Sequence, residues 1–94
     1  MDLGIEGKRA LVTGASRGRG RAIAEELVAE GCRGVISARG GERLSATAEE
    51  IGAVGIPADM AEPHGPARLV ERAIAALGGL DIVISNDGGP APGP

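Results

Sequence analysis

The sequence predicts an α/β fold: a parallel sheet covered by helices. Three observations carry that reading. Short apolar runs alternate along the chain with segments whose apolar residues recur at three and four positions. The glycine-rich turn Thr13-Gly14-Ala15-Ser16-Arg17-Gly18-Arg19-Gly20 joins the first run to the first helical segment. Glycines and prolines punctuate the remaining boundaries. Strands that alternate with single helices pair in parallel through right-handed crossovers.

Arg9–Thr13 reads as the first strand, and Gly18–Glu30 as the first helix, with Ile23 and Leu27 on one face and Gly31 after its end. Gly34–Ser37 reads as the second strand. Glu42–Ile51 is the second helix, with Leu44, Ala48 and Ile51 in register. Val54–Ala58 is a short third strand. Glu62–Leu77 is the third helix, with an apolar stripe of Leu69, Val70, Ala73, Ile74 and Leu77, stopped by Gly78-Gly79. Asp81–Ser85 is a fourth strand, apolar enough to be expected buried on both faces of a parallel sheet. Residues 88–94, rich in Gly and Pro, read as a loop or tail.

These elements assemble into a three-layer fold of the Rossmann type with strand order 3-2-1-4. The return from strand three to strand four creates a switch point beside the glycine turn, outside the carboxyl ends of the strands, where ligands bind in such sheets. The winding places two helices on one face and only the third on the other. Residues 1–94 are therefore expected to be a single, partial domain, an incomplete half of a doubly wound fold. Strand four is expected to be an apolar edge, prone to self-association.

Composition narrows the function classes. A 94-residue chain with 43% hydrophobic and 24% charged residues is expected to fold as one small domain. It has no aromatic residue, so the core must be built from Leu, Ile, Val and Ala. No apolar run approaches the roughly 20 residues that span a bilayer, and the N-terminus does not read as a signal peptide. A net charge of −3 argues against nucleic-acid or membrane partners. The single cysteine, Cys32, forms no internal disulfide and fits a cytoplasmic setting. One His and one Cys do not make the usual zinc site. His64 reads as exposed, Cys32 as a small packed side chain, and Arg68, Glu71 and Arg72 as a solvated helix face.

Strand, glycine turn and helix in that order make a phosphate cradle. The turn directs backbone N–H groups at an anion, and the helix dipole favours negative charge there. Gly14 permits a tight exit from the strand, Gly18 leaves a pyrophosphate room to approach, and Gly20 allows close helix packing. The end of strand two selects between dinucleotides. An acidic residue there would bind the adenosine ribose hydroxyls and favour NAD. Ser37-Ala38-Arg39 stands there instead, with no carboxylate before Glu42. Arg39, with Arg17 from the turn, offers planar guanidinium donors to a ribose 2′-phosphate, so NADP (NADPH) is expected over NAD.

These residues resemble the short-chain dehydrogenase/reductase family, including its 3-oxoacyl carrier-protein reductase-like members. Thr13 to Gly20 fits the family's Thr-Gly-x-x-x-Gly-x-Gly pattern. Asp59-Met60 looks like its adenine-binding Asp plus apolar pair, and Ser85-Asn86-Asp87-Gly88 is similar to its Asn-Asn-Ala-Gly segment. The resemblance implies that Asp59 contacts the adenine amino group and that the backbone of Asn86 to Gly88 lies along the adenosine side. From the residues alone, Asp59 and Asn86 read more often as turn or cap residues. Together the expected cofactor-binding set is Gly14, Ser16, Arg17, Gly18, Arg19, Gly20, Arg39, Asp59, Met60, Asn86 and Gly88. Three positions depart from the family pattern: Arg19 replaces an apolar residue, Ser85 an Asn, and Asp87 a small residue.

The family's catalytic residues, as the resemblance implies them, are a Ser and a Tyr-x-x-x-Lys motif further along the chain. No tyrosine occurs here, and the single lysine, Lys8, precedes the first strand. Hydride transfer to a carbonyl needs a proton donor at the oxygen, and none is identifiable. The expectation is therefore the cofactor-binding N-terminal part of an NADP-dependent short-chain oxidoreductase, itself inactive. Its carbonyl or alcohol substrate would be met only in a complete protein. The alternatives are a non-catalytic nucleotide-binding module and an inactive truncated remnant.

Overall fold

The computed structural model describes residues 4–86. Seven elements follow one another: strand β1 (Arg9–Val12), helix α1 (Gly18–Ala29), strand β2 (Arg33–Ile36), helix α2 (Gly41–Ile51), strand β3 (Val54–Gly55), helix α3 (Gly65–Leu77) and strand β4 (Ile82–Ile84). The four strands form one sheet in the order β3-β2-β1-β4, with every pair parallel. This is the predicted Rossmann-type arrangement.

Strand alternation sorts the core into two layers. Val12 and Ile36 point to one face and pack with Ala15, Ala24, Leu44 and Ala48, beneath α1 and α2. Leu11 and Val35 point to the other and pack with Leu69, Ala73 and Leu77 of α3. Two helices thus cover one face and one covers the other, as the winding requires. With no aromatic ring available, small residues let the layers approach closely: Ala15 and Ala73 are completely buried.

Boundaries fall within one residue of the expected ones except in β3 and α3, and the burial of β4 also differs. The third strand is regular only over Val54–Gly55, not to Ala58, and Pro57, which has no N–H, stands at the outer edge of the sheet. Its neighbours still pair, Ile56 N–H donating to Ile36 O and Ala58 N–H to Ala38 O. The third helix begins at Gly65, not Glu62. The residues between are held in a turn, in which the Asp59 carboxylate accepts from Ala61 N–H and the Asp59 carbonyl from Glu62 N–H. Pro66, which cannot donate, then sits in the first helical turn where no donor is needed. The fourth strand is not buried on both faces. Among the described residues it is the sheet edge, with Val83 54% exposed and Ile82 and Ile84 half-buried.

The two ends of the sheet are finished differently. At the amino end, Arg9 grips Asp81. Its Nε and Nη2 donate to the two carboxylate oxygens at 2.9 and 3.1 Å, and its backbone N–H donates to Oδ2 at 2.9 Å. Arg9 Nη1 also donates to Gly78 O, and Arg33 Nη1 to Leu77 O, so two guanidiniums serve the last carbonyls of α3. This holds the Asp81 carboxyl far below the usual carboxylate range, through the Arg9 side chain first and its backbone N–H second.

Candidate functional site

At the carboxyl end, β1 gives way to the glycine turn. Gly14 has φ +60°, which L side chains rarely adopt, and a Cβ there would run into the carbonyl of Asn86. Gly20 is packed equally tightly, against the Gly14 carbonyl and the Asn86 amide, so the helix closes on the turn and on Asn86 rather than on the sheet itself. Gly18 also has positive φ, but a Cβ there would meet nothing within 4 Å. The turn is thus sealed behind and open in front.

Two chain segments fix this turn. Asn86 donates its backbone N–H to Thr13 Oγ1 at 2.8 Å and its side-chain amide to Gly14 O at 3.2 Å. From the other side, Ala15 N–H donates to Ser37 O at 3.0 Å, and buried Thr47 of α2 donates its hydroxyl to Ser16 O at 2.8 Å. The N-terminus of α1 carries no side-chain cap and has no acidic residue in its first turn. Its leading amides therefore point, uncompensated, past Gly18, where physics favours an anion.

In front of the turn lies a cleft of about 960 Å³. It gathers residues that the chain scatters over seventy positions: Thr13, Gly14, Ser16 to Arg19, Ser37 to Gly40, Arg43, Ala58 to Ala61 and Asn86. Of the expected binding residues, Gly14, Ser16, Arg17, Gly18, Arg19, Arg39, Asp59, Met60 and Asn86 all line it. Gly20 sits behind the wall, and Gly88, like Asp87 and the expected tail, lies outside the described residues. Asp59 serves its turn through Oδ1 and still lines the cleft.

Three cleft features were not anticipated. Arg43, in the first turn of α2, adds another guanidinium. Thr47 anchors the turn from beneath. Its signal was a hydroxyl set among Leu44, Ala48 and Ile51 on the apolar face of α2. Ser37, 1% exposed, has a hydroxyl without a hydrogen-bond partner among the described residues, an orphaned polar group in the cleft floor. Among the described residues the cleft is lined by four arginines and a single carboxylate, Asp59, although the chain carries −3 overall. Such a concentration of positive charge suits a ligand with several phosphates. No group of three His, Cys, Asp or Glu side chains able to hold a metal occurs among the described residues.

A parallel sheet in this order, with a glycine-lined anion cradle at its switch point, defines a Rossmann-type unit. The chain belongs to the short chain dehydrogenase family, whose model matches residues 8–94. It is 39% identical over 88 residues to the 3-oxoacyl-[acyl-carrier-protein] reductase of Escherichia coli, covering 92% of this chain and 36% of that protein. L-Sorbose reductase from Gluconobacter frateurii, solved with NADPH and L-sorbose, superposes with a TM-score of 0.90 at 37% identity, over 97% of this chain and 37% of that one. A short chain dehydrogenase from Burkholderia cenocepacia, solved with NADP, gives 0.79 at 44% identity, over 84% and 35%. The chain thus spans about a third of the length of the relatives it matches. No helix among the described residues is long and apolar enough to cross a membrane.

Proposed function

We propose that this chain holds the adenosine and pyrophosphate of NADP, as the cofactor-binding part of a short-chain oxidoreductase acting on a carbonyl or alcohol. The observation that carries the reading is the charge at the end of β2: Arg39 and Arg17 line one cleft, and no carboxylate follows that strand before Glu42. A ribose 2′-phosphate is met there by guanidinium forks, where a dinucleotide lacking it finds no acceptor for its hydroxyls. The amides at the start of α1 receive the pyrophosphate, with Gly18 leaving it room and Ser16 and Arg19 beside it. Asp59 and Met60 flank the adenine, with the Asn86 backbone on the adenosine side. Two solved relatives that carry NADP or NADPH support this reading.

Bound NADPH supplies a hydride. The residues of this chain orient the cofactor's adenosine half and neutralise its phosphates. None is proposed to move the proton, because the chain has no tyrosine and its single lysine, Lys8, precedes β1. By itself it therefore acts as a nucleotide-binding unit. Calorimetric titration with NADPH and NADH tests the assignment. Wild type should prefer NADPH by at least about tenfold, and Arg39→Asp should bring the two within a few-fold of each other. An unchanged preference in Arg39→Asp would defeat the ribose argument.

A further inference from the structure

We infer that Arg43 is a further specificity-determining residue for the cofactor, a third guanidinium for the adenosine 2′-phosphate. The inference rests on the NADP reading above and extends it to a residue on a different element.

Three observations converge on Arg43. It lines the same cleft as Arg17 and Arg39. It lies four residues ahead of Thr47, hence one turn earlier on the same face of α2. Thr47 is bonded to the carbonyl of Ser16, the neighbour of Arg17, so this face of α2 lies against the glycine turn. Arg43 is thereby on the face of α2 that meets the glycine turn.

The lack of an internal partner among the described residues leaves Arg43 available to a ligand, as it leaves Arg68 and Arg72 on the solvated face of α3, and its place in the cleft is what sets it apart from them. Arg9, Arg21 and Arg33 each donate to a carboxylate or a carbonyl. The guanidiniums of Arg17, Arg19, Arg39 and Arg43 have no such partner among the described residues. The position of Arg43 is also electrostatically awkward. A cation in the first turn of a helix faces the positive end of the dipole, which an anion in the cleft would relieve. Glu42 shares this turn with Arg43, and α2 has no side-chain cap at Gly40.

The matched ligands adenosine 2′,5′-bisphosphate and 5′-AMP isolate the contact, since they differ only by the 2′-phosphate and need no nicotinamide site. Calorimetric titration of the 94-residue chain should show preference for the bisphosphate. Arg43→Gln should weaken bisphosphate binding about tenfold and leave 5′-AMP binding unchanged, with Arg43→Lys between wild type and Arg43→Gln. Without ligand, Arg43→Gln should melt at or slightly above the wild-type temperature, because a misplaced cation has gone. Wild-type preference with undiminished bisphosphate binding in Arg43→Gln overturns the Arg43 assignment and leaves the NADP reading standing. Equal weakening of both ligands, or a much lower melting temperature, also overturns it, by giving Arg43 a shared or structural role. A wild-type chain that does not favour the bisphosphate defeats both.

Discussion

The two ends of the sheet use arginine for opposite purposes. At the amino end, Arg9 and Arg33 are consumed by the fold: one binds Asp81 and Gly78 O, the other Leu77 O. At the carboxyl end, Arg17, Arg19, Arg39 and Arg43 border a cleft, and their guanidiniums make no ion pair or hydrogen bond among the described residues. In a chain with more acidic than basic residues, unpaired cations gathered in one place are costly unless something negative arrives. Charge that is neutralised within the structure stabilises it, whereas charge left open is available for a ligand.

The sharpest way to break this contrast is to close the open end from behind. Gly14→Ala forces a side chain into positive φ and drives its Cβ into the carbonyl of Asn86. Backbone cannot yield as a flexible side chain can, so the substitution should cost about 3 kcal/mol or more in denaturant unfolding and abolish NADPH binding. Gly18→Ala meets no atom within 4 Å and bears only the conformational penalty, about 1–2 kcal/mol. Its larger effect should be on titration with NADPH, because the new methyl stands where the pyrophosphate is proposed to lie. Near-wild-type unfolding of Gly14→Ala would show that the turn is not sealed by Asn86.

Whatever is set by local chemistry was legible before the structure. The glycine turn, the strand order and the two-to-one division of helices follow from residue periodicity and the handedness of crossovers. Arg17 and Arg39 were legible because each adjoins a recognisable strand end. Arg43 was not, since a charged residue in a helix reads as solvated until the fold shows which face of α2 meets the turn. Thr47 was overlooked for the converse reason: a small polar residue in an apolar stripe passes as core until its acceptor, the Ser16 carbonyl, comes from 31 positions away. Asn86 was placed in the site, but its hold on Gly14 depends on β4 lying beside β1, which is a tertiary fact. The late start of α3 was hidden because Asp59 seeds a competing turn that helical periodicity does not register.

At the paired end, pH separates structural charge from ligand charge. The folded value of Asp81 is lowered, so its contribution is fully present above the unfolded value of about 3.9 and is lost as pH falls through the folded value. Melting temperature should therefore drop as wild type is acidified below about pH 4, and part of that drop should vanish in Asp81→Asn, whose melting is already lower at neutral pH. At neutral pH, Asp81→Asn should leave the preference for NADPH over NADH unchanged, since the pair sits at the far end of the sheet. A variant that melts like wild type at neutral pH and loses as much on acidification would show that Arg9 is as free as the cleft arginines.

The smallest effect belongs to the bond that links structure to cleft. Thr47→Val keeps the shape of a 2% exposed side chain and removes one hydroxyl, leaving the Ser16 carbonyl without that donor. A single buried hydrogen bond of this kind is worth about 1 kcal/mol, so unfolding should shift by roughly that amount. The more telling readout is binding. If Thr47 positions the turn, Thr47→Val should weaken 5′-AMP and adenosine 2′,5′-bisphosphate by the same few-fold factor, because the 5′-phosphate cradle is common to both. Thr47→Ser, which retains the donor, should restore that binding although it loses a methyl from the core. Recovery of stability without recovery of binding in Thr47→Ser would confine Thr47 to packing and leave Asn86 and the Ala15–Ser37 bond to hold the turn.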